Sequence, residues 1–240
     1  LKVFPCYVSG GGKFLLYFMI ILQNKLNSIN MKTCKDYLDK TFLEELNHKI
    51  WATKGSRFNA DKRLLTIYKY SNLANSMLSV YLIAIGLLSV YKMYNDKFIE
   101  ENILPYTITC LSILLLVFSQ IENSKNYQLR AKEFHSCGLK LSKLYNKLRT
   151  FKTLNLNTSD KEKKIFAHEI AEEYENILKK YENHDQIDYA LFQATNPDYF
   201  ELSKLVVLKT KVRYYIKTQF FYHLMIAIPP LIILNFLCRI

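Results

Sequence analysis

The sequence predicts an all-α membrane protein: a transmembrane helical hairpin, a cytosolic helical bundle and a third, C-terminal membrane helix. Three observations predict it. Two apolar runs, Leu73–Val90 and Ile103–Ile121, contain no Asp, Glu, Lys or Arg and are separated only by Tyr91–Asn102. Each approaches the roughly 20 residues with which a helix crosses a hydrocarbon core, where an open backbone has no water to bond. Helical periodicity recurs in most of the remaining chain, and Gly (6) and Pro (5) are too scarce among 240 residues for a loop-rich or β-sandwich protein.

The net charge of +12 is distributed, not clustered. Met31–Ser71 carries nine Lys/Arg and five Asp/Glu, Glu122–Gln219 carries eighteen and thirteen, and the stretch between the runs has two Lys against three acids. The positive-inside rule then places both flanks in the cytoplasm and the short connection outside. Nucleic-acid binding is the competing reading of a basic chain. It is disfavoured because acids are interspersed and no dense Arg stripe forms. Five scattered cysteines, Cys6, Cys34, Cys110, Cys137 and Cys238, show no metal spacing and fit free thiols in a reducing compartment.

Taken in order, residues 1–30 are expected to be an upstream extension, with the functional chain beginning at Met31. Residues 31–71 are expected to form N-terminal cytosolic helices. One runs from Cys34 to Trp51 with Leu38, Phe42, Leu46 and Ile50 four apart, Gly55-Ser56 interrupts it, and a second starts near Asp61. The hairpin occupies 72–121, with Pro105 near the start of its second helix, where a missing N–H costs little.

The cytosolic domain, 122–218, opens on a seam: Tyr127, Ala131, Phe134, Gly138, Leu141, Tyr145 and Leu148 alternate in steps of four and three. That stripe packs either on the next helix of the same chain or on another copy as a coiled coil. Ser159-Asp160-Lys161-Glu162 reads as a capping box, opening a helix with Phe166, Ile170, Tyr174, Ile177 and Tyr181 on one face. This helix can lie antiparallel to the seam. Asn196-Pro197-Asp198 is a turn, with Asp198 and Glu201 expected to cap the helix after it. A third apolar run, Phe220–Cys238 within 219–240, holds eleven Leu, Ile or Phe residues, enough to favour insertion by several kcal/mol against His223 and Pro229-Pro230. It is expected to span, with a kink or a re-entrant dip as the other shape.

Catalytic signatures are lacking. There is no GxxxxGK[ST], HExxH or GxSxG, and the five histidines fall on separate segments. His184, Asp185 and Asp188 form the one local cluster with metal-ligand chemistry, and helix ends or caps are the expected role. No catalytic, cofactor or metal residue is assigned, and the chain reads as a non-enzyme. The polar residues of the spans are more informative. Asn72, Asn75, Ser79, Gly86 and Ser89 share one face of the first span, and Thr109, Ser112 and Ser119 one face of the second. Such faces serve close helix packing. If copies assemble, they line a water-filled path instead.

An N-terminal helical region, a two-span hairpin and a long helix leading out of the membrane resemble the SLATT domain. So do the stretches Tyr127-Gln-Leu-Arg-Ala-Lys-Glu-Phe134, Leu144-Tyr145 and Tyr181-Glu-Asn-His-Asp-Gln-Ile-Asp-Tyr189, the last similar to the branch found beside bacterial reverse transcriptases. The resemblance runs from about Thr33 to the C-terminus. It implies a membrane effector of a bacterial conflict system, a multi-pass protein of the inner membrane with its N-terminus in the cytoplasm. It further implies a homo-oligomer that opens a pore and stops growth on a signal from a neighbouring reverse transcriptase or nucleotide second-messenger system. A non-pore anchor that recruits a nucleic-acid enzyme through its basic helices is the alternative.

Overall fold

The computed structural model describes residues 41–90, 103–154 and 158–237, all within one unit, Thr41–Ile240. The expected start at Met31, the helix start at Cys34 and the connection Tyr91–Asn102 lie outside the described residues. Those residues form helices and no strand.

Helix α1, Phe42–Val90, is continuous for 49 residues, about 74 Å at 1.5 Å per residue. Thr41 opens it, its N–H and hydroxyl both donating to Glu44 Oε2 at 3.1 and 3.2 Å. The interruption expected at Gly55-Ser56 does not occur. Ser56 returns its hydroxyl to the Ala52 carbonyl at 2.9 Å, inside the helix. Gly55 is instead a contact point: a Cβ there would stand 2.1 Å from the ring of Phe192. Glycine serves close approach here, a use that its helix-breaking reputation conceals.

Helix α2, Ile103–Ser124, carries Pro105 in its first turn. It does not run on unbroken into the helix that follows. Lys125-Asn126 interrupts it, with Asn126 at φ 48° in the left-handed region that asparagine tolerates. Helix α3, Tyr127–Leu154, then turns the seam onto α1. Leu46 and Ile50 meet Leu144 and Leu148, while Ala60 and Leu64 meet Ala131 and Phe134. The seam therefore packs chiefly on α1, two helices earlier in its own chain, with the helix that follows adding to one end of it. Gly138 makes room for the Phe58 ring, which would lie 2.9 Å from a Cβ. Each fully buried leucine of this interface contributes about 2 kcal/mol of apolar burial.

Helix α4, Asp160–Leu178, begins with the expected Ser159–Glu162 capping box. It lies antiparallel to α3, adding Ile170 and Phe166 to the Leu144–Leu148 cluster. Tyr181 falls beyond its end and reaches Ser136 at 3.2 Å. Helix α5, Gln186–Thr195, docks on α1 through aromatic side chains. Phe192 meets Trp51 edge-on with centroids 4.7 Å apart, and Phe200 stacks near it. After the turn, α6 (Lys204–Tyr215) is capped by Ser203 rather than by Asp198 or Glu201, and Glu201 takes φ 51° within the turn.

A π-helical stretch, Ile216–Phe220, joins α6 to α7, Phe221–Leu237. Pro229 and Pro230 sit inside α7, which continues through them. Pro230 lacks the N–H that would bond the Ile226 carbonyl four residues back. Tyr81 of α1 supplies the replacement, its hydroxyl donating to that carbonyl at 3.0 Å.

The upper half of the structure exposes large apolar side chains, among them Val80, Ile83, Leu87, Ile113, Leu114, Leu116 and Leu231. Among the described residues, the stretch Pro105–Leu154 contains a window apolar enough to cross a membrane, with mean hydropathy 1.4 and only 6% of it buried within the protein. A soluble core helix would be mostly buried. This one faces outward, as a lipid-embedded helix does.

Candidate functional site

The polar residues of the apolar runs are distributed over two sides of the hairpin. Ser79 of α1 joins Ser112 and Ser119 of α2 on one open groove of about 430 Å³, floored by Leu82, Ile83 and Leu115. Ser79 and Ser112 are exposed and Ser119 is half-buried. Their hydroxyls bond within their own helices, Ser79 to the Asn75 carbonyl at 2.9 Å and Ser112 to Ile108 at 2.8 Å. Thr109 does the same to Pro105 at 2.9 Å and lies outside this groove. Asn75 is half-buried, its side-chain oxygen enclosed without a hydrogen-bond partner. Among the described residues, no atom from outside the backbone of its own turn lies within 4 Å of where a Cβ on Gly86 would be. Ser89 is half-buried and apart from the groove.

The other side of the hairpin meets α7. Leu78 and Tyr81 of α1, Leu114 and Phe118 of α2, and Met225 and Pro229 of α7 line a half-open apolar cavity of about 300 Å³. The Tyr81–Ile226 bond joins α7 to α1 on this side.

Beneath the spans, three helices converge on Glu122, which is 6% exposed. Ser71 of α1 donates to its Oε2 at 2.9 Å, Tyr222 of α7 donates to the same oxygen at 2.8 Å, and Lys125 pairs with Oε1. Burial opposes the charge on Glu122, but these hydrogen bonds outweigh it and hold the carboxyl below its ordinary range. The same pairing raises Lys125. Each bond is charge-assisted and therefore stronger than a neutral one. Glu122 thus ties α1, α2 and α7 together just beyond the apolar run of α2. It is the first acid after a long apolar run, and that position is a signal available in the sequence.

Within His184–Asp188 the two acids form a capping box. Asp185 caps α5, and Asp188, with no exposure, completes the box by accepting the Asp185 N–H at 3.1 Å. Arg63 grips Asp188 through two nitrogens at 2.7 and 2.9 Å. Burial opposes the Arg63 charge, yet its bond to Asp188 raises it above the ordinary value. Arg57, itself 1% exposed, bonds the Glu182 carbonyl and lies over the Phe134 ring. His184 is held below its usual value by burial and by Arg57. Among the described residues, no group of three His, Cys, Asp or Glu is placed to hold a metal. The three-residue spacing of Asp185 and Asp188, like that of Ser159 and Glu162, could have identified the box from sequence. Arg63, 125 positions away, could not be found that way.

No curated protein and no solved structure matches the chain. A family model does, over residues 39–236, which is most of the chain: the SMODS and SLOG-associating 2TM effector domain family 5. The family description carries a two-span architecture, and the outward-facing apolar stretch that begins at Pro105 is consistent with membrane residence. This all-α membrane protein belongs to the SMODS and SLOG-associating 2TM effector domain family 5.

Proposed function

We propose that the chain is a non-enzymatic pore-forming effector of the bacterial inner membrane, with its N-terminus in the cytoplasm. The supporting observation is the asymmetry of the hairpin. One side packs in part on α7 through apolar side chains alone, while the other presents Ser79, Ser112 and Ser119 together on an open groove. Exposed hydroxyls facing lipid gain nothing from it, whereas several copies arranged around an axis would turn these grooves inward toward water. The open space at Gly86 leaves room for a neighbouring helix on the same run. The trigger in this reading is a partner encoded nearby, a nucleotide second-messenger system or a reverse transcriptase, and the outcome is growth arrest.

The test is membrane permeability in bacteria expressing the chain with its neighbouring genes, read by dye entry and membrane potential. Permeabilisation by the wild type should be lost when Ser79 and Ser112 are both replaced by leucine, with insertion unchanged. Undiminished permeabilisation by that variant would refute the pore lining. Intact membranes under every triggering condition, with a neighbouring protein captured, would make the chain an anchor.

A further inference from the structure

The cytosolic end farthest from the apolar runs holds a pocket of about 600 Å³, within the range of small-molecule sites. It lies where the start of α1, the end of α3 and the start of α4 meet. One part of its wall is aromatic, Phe42 and Phe151, and Phe151 is held rigid by stacking on Phe166 at 3.8 Å with planes 13° apart. The other part carries Lys152, Lys163, Lys164 and His168. No Asp or Glu among the described residues lines it.

Two of the lysines are held only by weak pairs that an incoming anion can displace. Lys152 stands 3.8 Å from Glu44, and Lys163 stands 3.4 Å from Asp160, whose side chain is 92% exposed. Both are loose solvent-facing pairs, which contribute little. Lys164 is exposed and makes no ion pair among the described residues. Phosphate oxygens are the anion that lysines bind best as point charges, and a flat aromatic body is what a phenylalanine wall stacks. We propose that this pocket is a nucleotide-binding site, with the base against Phe42 and Phe151 and the phosphates on Lys152, Lys163 and Lys164.

One competing occupant fits worse. A lipid headgroup is out of reach, because thirty residues of α1 separate Phe42 from Asn72, just before the apolar run, roughly 45 Å of helix. The proposal is independent of the pore reading, since it concerns binding and not permeation.

The experiment uses the full chain in nanodiscs of neutral lipid, with trinitrophenyl-ATP as the fluorescent probe. Saturable, salt-sensitive binding is expected, displaced by ATP better than by triphosphate or by adenosine alone. Lys163→Gln with Lys164→Gln should weaken the probe about tenfold, as loss of charged hydrogen bonds does, while thermal unfolding stays at the wild-type value. Phe151→Leu should erase most of the advantage of ATP over triphosphate. Lack of saturable binding would overturn the proposal, as would an affinity unchanged in the lysine variant. Triphosphate displacing as well as ATP would leave a bare anion patch, and displacement by a single-stranded oligonucleotide but by no mononucleotide would also overturn it. Probe binding abolished in nanodiscs of anionic lipid would assign the lysines to the membrane.

Discussion

Replacing Asp188 by alanine removes the acid on which two helices and two arginine nitrogens depend. Its carboxylate has no exposure and accepts both nitrogens of Arg63 and the Asp185 N–H. Deleting one partner of a buried pair leaves the other charge uncompensated, a loss of about 3–5 kcal/mol. Arg63 keeps 13% side-chain exposure, so water reaches it and the lower end, about 3 kcal/mol, applies. Loss of the capping box adds about 1 kcal/mol. The expected destabilisation is about 4 kcal/mol, a fall in Tm of roughly 8–16 °C for a chain of this size. Trp51 is the only tryptophan and lies 4.7 Å from Phe192, so its near-ultraviolet dichroism and emission report whether α5 is docked. Both should change in the variant before the rest of the bundle unfolds. Glu169→Ala, which removes one side of the exposed Lys147 pair, is the control and should cost less than about 1 kcal/mol. A Tm within about 2 °C of wild type, with the Trp51 signal unchanged, would refute the reasoning, since that shift is worth only about 1 kcal/mol.

Gly55→Ala should destabilise despite the better helix propensity of alanine, because a Cβ 2.1 Å from the Phe192 ring forces a core aromatic to move. The overpacking loss of about 1–3 kcal/mol exceeds the gain of about 1 kcal/mol, and denaturant unfolding monitored at Trp51 measures the difference. Tyr81→Phe leaves the Ile226 carbonyl unbonded in an apolar layer and should cost about 1–2 kcal/mol in mixed-micelle unfolding, with α7 losing hydrogen-exchange protection first. His184 gives a pH dependence. Its folded value lies below the unfolded value of 6.5, so its contribution is complete above pH 6.5 and falls away as pH drops below it. His184→Phe should flatten that part of the stability profile, as read from Tm against pH between neutral and mildly acidic buffer.

The elements legible in the sequence were those fixed by near neighbours. The apolar runs showed themselves by length and lack of charge, the Ser159 box by a three-residue spacing, and the α3 seam by its periodicity. The seam's partner was not legible, because a stripe of Ala131, Phe134 and Leu141 fits any complementary helix equally well. Gly55-Ser56 misled for a related reason: glycine reads as a break unless the ring that fills the space above it is known. The hairpin's serines were identifiable as a face. That Ser79 shares a groove with Ser112 and Ser119, while Thr109 and Ser89 stand apart, depends on how the two helices are rotated about their axes.

The sequence alone determined that the chain is helical and seeks a membrane, because apolar length and backbone satisfaction are local demands that no distant residue can alter. Only the tertiary structure decided which polar groups matter. Glu122 with Ser71 and Tyr222, Asp188 with Arg63, and Tyr81 with the Ile226 carbonyl join positions 51 to 145 residues apart. A buried polar group must find a partner or pay its desolvation. Which partner it finds is settled by the packing that brings distant helices side by side.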